Sequence, residues 1–174
     1  MNDCRVFKSA TSPLPDTRVV LSVVVDESGS MGGERIKAAR TAAIALYEFC
    51  AACKIPCSVI GHTADYHTGK PFYNIYADFE TPDALDKYRL LNISAKWDNR
   101  DGAAILFAGE HLLKREEPVK LMFIISDGAP LARGYSGPPA EHDMSNIVAN
   151  LRRKGMTIFA AAIGSDKENI HRIF

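Results

Sequence analysis

Three oxygen-bearing side chains, Asp26, Ser28 and Ser30, stand two residues apart in the stretch Asp26-Glu27-Ser28-Gly29-Ser30-Met31. One carboxylate and two hydroxyls converging on a point are hard donors. They suit magnesium or manganese, which take octahedral oxygen ligation and keep some of their waters. Such donors need an element that delivers them together. The preceding run, Val19-Val20-Leu21-Ser22-Val23-Val24-Val25, is nearly uninterrupted β-branched hydrophobe and predicts a strand buried on both faces, as in a parallel sheet. Gly29, Gly32 and Gly33 let the following loop turn tightly. The donors therefore sit at a strand's carboxyl end, where open α/β sheets bind ligands.

Two further segments can reach the same rim. Phe123-Ile124-Ile125-Ser126-Asp127-Gly128 is a second buried run ending in an acid, and Asn99-Arg100-Asp101-Gly102-Ala103-Ala104-Ile105 opens a helix. Each donor also has a plainer reading. Asp26 suits a turn, Ser28 and Ser30 suit helix caps, Asp127 suits an Asp-Gly turn, and Asp101 suits the N-cap of the helix opening at Gly102.

Asp-x-Ser-x-Ser after a buried strand resembles the metal-ion-dependent adhesion site of von Willebrand factor A domains, and Ser126-Asp127-Gly128 resembles that family's second metal-site aspartate. The Asn99-x-Asp101-Gly102-x-Ala104-Ile105 stretch falls at the family's threonine loop. It is most similar to the cobaltochelatase accessory subunit and the nitric-oxide-reductase activation proteins. Together the matching segments span residues 18 to 165. The resemblance implies direct ligation by Asp26, Ser28 and Ser30, and ligation by Asp127 through water. It puts Asn99 at the threonine position and Asp101, the stronger donor, two residues later. In the adhesion-type site the ion retains enough charge to attract a partner's carboxylate. A directly bound Asp101 would neutralise the ion and weaken that attraction. The same resemblance implies an AAA+ ATPase as partner, in metal insertion or activation of a client enzyme, with this domain at the C-terminal end of a larger chain.

The remaining pattern alternates strands and helices. Residues 1–16 are a polar lead-in and residues 17–174 one domain. Strands are predicted over 18–26, 56–61, 119–126 and 156–163, with an edge strand over 74–79. A long helix is expected over 34–53, with Ile36, Ala39, Ala43, Leu46 and Cys50 at helical spacing. A short helix starts near Pro82 with Thr81 as its cap, another opens at Asp101, and a third covers 143–154. Residues 132–139, rich in Gly and Pro, read as an irregular loop. This is a doubly wound, mostly parallel α/β sheet with one antiparallel edge strand. The last helix, starting near Lys167, is cut off at Phe174, which points to a piece of a longer protein.

Composition narrows the function classes. The chain has 174 residues, is 47% hydrophobic and carries 21 basic and 21 acidic side chains, so no bulk field draws it to nucleic acid or membrane. No apolar stretch approaches the ~20 residues of a membrane span, and Met1-Asn2-Asp3-Cys4-Arg5 lacks a signal-peptide core. Cys50-x-x-Cys53-x-x-x-Cys57 has metal-like spacing, but Cys50 and Cys53 continue an apolar helix face and Cys57 points inward from a strand. They read as small buried hydrophobes, and with Cys4 they give no disulfide framework, so the expected compartment is the cytoplasm. His62 and His67, beside Thr63, Asp65 and Thr68 in the loop after the second strand, have two readings, lining of the crevice and an ordinary solvated loop, of which the loop is favoured. Trp97, between charged neighbours, reads as a surface aromatic.

The leading function is a binding module without catalysis. The alternative is a metal-dependent hydrolase or phosphatase in the same crevice. Ser28-Gly29-Ser30-Met31-Gly32 misses the Gly-x-Ser-x-Gly nucleophile elbow by one residue. An aspartate-nucleophile phosphatase would need an acid where Ser28 stands. Gly69-Lys70 precedes Pro71 and lacks the upstream glycine of a P-loop, so hydrolysis of ATP belongs to the partner.

Overall fold

The computed structural model describes residues 17–164 and 167–174; the polar lead-in lies outside them. The Val-rich run forms β1 (Val19–Asp26), with Val20 and Val24 facing one side of the sheet and Leu21, Val23 and Val25 the other. A strand apolar on both faces must be central. β1 pairs in parallel with β2 (Cys57–Ala64) on one side and with β4 (Val119–Ser126) on the other. The β3 strand (Pro71–Ala77) pairs antiparallel with β2 at one edge, as the edge-strand expectation required. At the other edge β7 (Met156–Ala162) pairs in parallel with β4, giving the order β3-β2-β1-β4-β7. The chain leaves β1 toward one edge and β4 toward the other, so the topological switch point lies between β1 and β4.

Helix α1 (Glu34–Cys53) covers one face. Ala39 and Ala43 are wholly buried there, and their small size lets the helix lie close on Val23, Val25 and Val59. Its C-terminus closes on Lys54 in the left-handed conformation, whose N–H meets the carbonyls of Cys50 and Ala51. Helix α3 (Asp101–Leu113) covers the opposite face through Ala104, Ile105, Ala108 and Leu112, joined by α4 (Gly137–Arg153) through Met144, Val148 and Leu151. The final helix, α5 (Lys167–Ile173), adds Ile173 to that core.

Four local expectations are corrected. The 132–139 stretch is not irregular: β5 (Leu131–Ala132) and β6 (Tyr135–Ser136) form a small hairpin, and α4 begins at Gly137. Pro138 and Pro139 occupy the helix's first turn, where a backbone N–H has no intrahelical acceptor to lose. The short helix α2 (Asp86–Arg89) starts later than predicted and is not capped by Thr81. Asp83 and Asp86 instead organise its start by accepting backbone N–H groups and pairing with Arg89. Cys50 and Cys57 are buried as expected, whereas Cys53 is exposed. Finally, β2 runs three residues further than predicted and takes in His62 and Thr63.

Glu27, the residue after β1, is wholly buried. Its carboxylate accepts from Tyr76 Oη at 2.5 Å, Asn74 Nδ2 at 2.5 Å and Ser94 N at 3.1 Å, and pairs with Lys96 Nζ at 3.2 Å. Gly61 makes room for it: a Cβ there would run into the carboxylate and the Tyr76 ring. Glu27→Ala should therefore destabilise the domain by about 3 kcal/mol, the low end for breaking a buried pair, since Lys96 can rehydrate. Urea denaturation checks this, with Glu27→Gln expected to lose less.

Candidate metal centre

Asp26 is the last residue of β1 and its side chain is inaccessible to solvent. The chain then turns through Gly29–Met31, and the Ser28 N–H donates back to Asp26 Oδ1 at 2.8 Å. Ser28 Oγ and Ser30 Oγ stand 3.0 Å apart, so the two hydroxyls do converge. Ser28 is buried and Ser30 exposed.

Asn99 and Asp101 are delivered by a segment stitched to two neighbours through its backbone. Asp98 pairs with Ala64 at the end of β2, and Asn99 pairs with Leu131 of the hairpin. The next turn opens α3 with Arg100 at the cap position and no side-chain capping bond. Asp101 thus does not cap its helix; its carboxylate turns into the crevice. Asn99 Nδ2 donates to Asp101 Oδ2 at 2.8 Å and lies 3.2 Å from Asp26 Oδ2. The Leu131 N–H, 2.6 Å from Asn99 Oδ1, identifies which end of the amide is oxygen. Asn99 accordingly faces both carboxylates with its donor end. Ser126, the last residue of β4, completes the contact, its hydroxyl 3.1 Å from Asp26 Oδ2 and 3.3 Å from Asp101 Oδ1.

Asp127 sits at the rim. One oxygen accepts from Ala129 N at 3.2 Å and the other pairs with Arg35 at 3.4 Å. Of the six residues singled out from the sequence, Ser28, Ser30, Asn99 and Asp101 therefore gather around Asp26, and Asp127, buried as well, pairs with Arg35.

Two residues here stand outside the ligand set read from the sequence. Ser126 was only part of a motif. His62 is not in a solvated loop: it lies in β2, paired in register with Asp26, and is 1% exposed. Among the described residues the ligand atoms of Asp26, His62 and Asp101 fall within 4.8 Å of one another. The signal available was strand register, since a residue at the carboxyl end of the neighbouring strand must face the same crevice.

The electrostatics are unbalanced. Burial raises the Asp26 carboxyl above the usual range, opposed by His62 and by the Ser28 N–H. Burial raises Asp101 well above it, and the neighbouring Asp26 charge adds to the effect. Burial holds the His62 imidazole below its ordinary value against the attraction of Asp26 and Glu27. Neither buried carboxylate forms an ion pair with a lysine or arginine among the described residues; His62 Nε2, 3.7 Å from Asp101 Oδ1, is too far for a hydrogen bond. Two buried carboxyls that resist ionisation and lack a protein cation fit a divalent ion, which supplies the missing charge without a proton.

An α/β domain with acidic and hydroxyl donors gathered at its switch point defines a known class of module. Residues 21–173 match the von Willebrand factor type A domain, and the chain belongs to that family, whose domains mediate protein interaction. A curated relative, "Uncharacterized protein YojO" of Bacillus subtilis (strain 168), is 24% identical over 160 residues, covering 88% of this chain and 25% of its own length. The chain thus spans about a quarter of that relative. Two solved structures share the fold. They are the pilus adhesin SpaC from Lactobacillus rhamnosus GG (TM-score 0.65, 14% identity, 90% of this chain and 26% of that one) and the PilB minor pilin from Streptococcus sanguinis (TM-score 0.60, 11% identity, 94% and 61%). Among the described residues no helix is long and apolar enough to cross a membrane.

Asp101→Asn removes one of the two facing charges while keeping shape. In chelator it should raise the melting temperature, since each pKa unit of suppressed ionisation is worth about 1.4 kcal/mol. In a domain of this size each kcal/mol so recovered raises the midpoint by roughly 2–4 °C. Differential scanning calorimetry reads the shift; a lower melting temperature would show that the charge stabilises the cluster.

Proposed function

We propose that the domain is a divalent-metal-dependent protein-interaction module whose centre is formed by Asp26, Ser28, Ser30, Asn99, Asp101 and Asp127. Asp26, Ser28 and Ser30 are direct ligands, Asp101 reaches the ion directly or through one water, and Asp127 acts through water. Asn99 holds the two buried carboxylates in register. The ion is magnesium or manganese. The observation that carries the reading is the pair of buried carboxylates, Asp26 and Asp101, brought into one cluster without a neutralising lysine or arginine.

Charge then decides how a partner is held. Asp26 and Asp101 together neutralise a dication, and Asp127 already has Arg35. The ion has little field left for a partner's carboxylate, unlike an adhesion-type site. Its role is to tie the β1 loop, the start of α3 and the end of β4 into one surface. Around that surface Tyr66, Trp97 and Leu131 are more than half exposed, and Trp97 packs edge-on against Phe72. Exposed aromatic side chains of this kind are common anchors of protein interfaces.

The partner is an AAA+ ATPase, with the domain serving metal insertion or activation of a client enzyme, in the manner of the chelatase subunit and reductase activators that the Asn99-x-Asp101-Gly102 stretch resembles. The free Cys50, Cys53 and Cys57 favour a reducing compartment, hence the cytoplasm. The likeness to pilus proteins is one of fold. A serine nucleophile would need a histidine base, and Ser28 Oγ pairs with Ser30 Oγ instead; a phosphatase assay with added metal tests the alternative of a metal-dependent hydrolase.

Titration calorimetry with manganese on wild type and Asp26→Ala tests the centre. Binding by wild type and a loss of at least about 10-fold in the variant are expected; equal binding would refute the assignment. Trp97→Ala should leave metal affinity unchanged and weaken capture of a purified AAA+ ATPase of the chelatase type, read by a metal-dependent pull-down; equal capture by both proteins would refute the role of Trp97.

A further inference from the structure

We propose that His62 is a direct nitrogen ligand of the divalent ion, completing a centre with Asp26 and Asp101 that favours a first-row transition ion over magnesium. The inference rests on the metal reading of Asp26 and Asp101 and adds a residue that the oxygen-donor motif does not contain.

Three observations carry it. The first is position: β1 and β2 run parallel with Asp26 opposite His62, so both side chains leave the sheet at one level into one crevice. The second is reach. Donors around a shared ion at about 2.1 Å stand no more than about 4.2 Å apart. The three ligand atoms already lie within 4.8 Å of one another, so a shift of a few tenths of an ångström brings them onto one ion.

The third observation is an orphan. Neither imidazole nitrogen of His62 has a hydrogen-bond partner among the described residues, although the side chain is 1% exposed. Buried polar groups are almost always satisfied, and an exception calls for an explanation such as an ion. The nearby candidates are otherwise engaged. Asn99 is spent on the carboxylates and Leu131, and the Thr63 hydroxyl donates to Asp98 O and accepts from Trp97 N. Glu27 is spent on Tyr76, Asn74, Ser94 and Lys96. A neutral imidazole with a free lone pair beside two carboxylates is a mixed nitrogen–oxygen donor set. Imidazole binds first-row transition ions well and magnesium poorly.

Manganese is the probe. The 174-residue chain, loaded with one equivalent of Mn2+, is studied by electron spin echo envelope modulation in natural-abundance and 15N-histidine-labelled forms. A histidine nitrogen coupling is expected, changing with the label and disappearing in His62→Gln. In competition titration that variant should lose at least about 10-fold of the preference for Mn2+ over Mg2+. His67, His111, His142 and His171 are all exposed, so labelling of the wild type carries the assignment even if His62→Gln folds poorly, and His67→Gln should keep the signal. Stoichiometric manganese without histidine coupling overturns ligation by His62 and leaves the centre standing. A wild type that binds no manganese overturns both.

Discussion

Two carboxyl groups, Asp26 and Asp101, are buried against each other at the switch point of the sheet, and the rest of this end of the molecule is arranged around that constraint. Asp26 comes from the central strand and cannot move without β1. Asp101 comes from the first turn of α3, whose apolar side is locked onto β1 and β4 through Ala104, Ile105 and Ala108. With both backbones held, only small polar groups can mediate between the charges. Asn99 and Ser126 do so, each within hydrogen-bond reach of both carboxylates. Neither brings a positive charge, so the repulsion is organised and remains uncancelled.

The adjacent residue makes a useful contrast. Glu27 follows Asp26 directly and is equally buried, yet its carboxylate turns to a separate set of partners. It meets a tyrosine, an amide, a backbone N–H and a lysine, which satisfy both oxygens and balance the charge. One carboxylate at this strand end therefore ties β1 to β3 and the 94–97 segment, and its neighbour is left charge-deficient in the crevice. Buried acids are costly unless paired, so the difference between them separates a structural role from a candidate binding role more clearly than burial does. The two sites also share a boundary. The Lys96 N–H donates to Glu27 O and the Gly29 N–H to Trp97 O, so the segment that satisfies Glu27 is laced to the loop carrying Ser28 and Ser30.

Much of this was legible in the sequence because the relevant signals are local. A doubly apolar run must be a central strand, and the alanine spacing of α1 and the boundaries of β4 follow from periodicity alone. The Asp26, Ser28, Ser30 cluster and the acid after β4 were readable from the same runs. Three features were hidden because they depend on register between segments distant in sequence. His62 becomes part of the crevice only once β2 is set beside β1 and extended past Gly61. Glu27 reads as a loop residue until Gly61, Tyr76 and Lys96 surround it. The hairpin within 131–136 closes on itself through Leu131 with Ser136 and Ala132 with Tyr135, but its place at the crevice depends on the bridge from Leu131 to Asn99, a residue distant in sequence.

On the proposed metal reading, the position of Asp101 also separates this chain from a surface that captures acidic partners through a metal. Its two readings, helix cap and crevice ligand, make opposite structural demands. A helix cap must point its oxygens back at the second or third N–H of its own helix and take an extended backbone. Asp101 lies inside the helix, leaves the cap position to Arg100 and points across to Asn99 and Ser126. That orientation leaves α3 without a side-chain cap and places a second buried carboxyl within the cluster, ready to ionise where a cation balances it. Such an exchange makes sense where charge at the crevice matters more than helix stability. The added charge brings the proposed centre to neutrality with a dication before any partner arrives, so affinity has to come from the surface the loops form. Arg35 on Asp127 works in the same direction, cancelling the remaining acid at the rim. The exposed Trp97 and Leu131, each one or two residues from Asn99 or bonded to it through the backbone, are then the side chains whose placement depends most directly on the cluster beneath them.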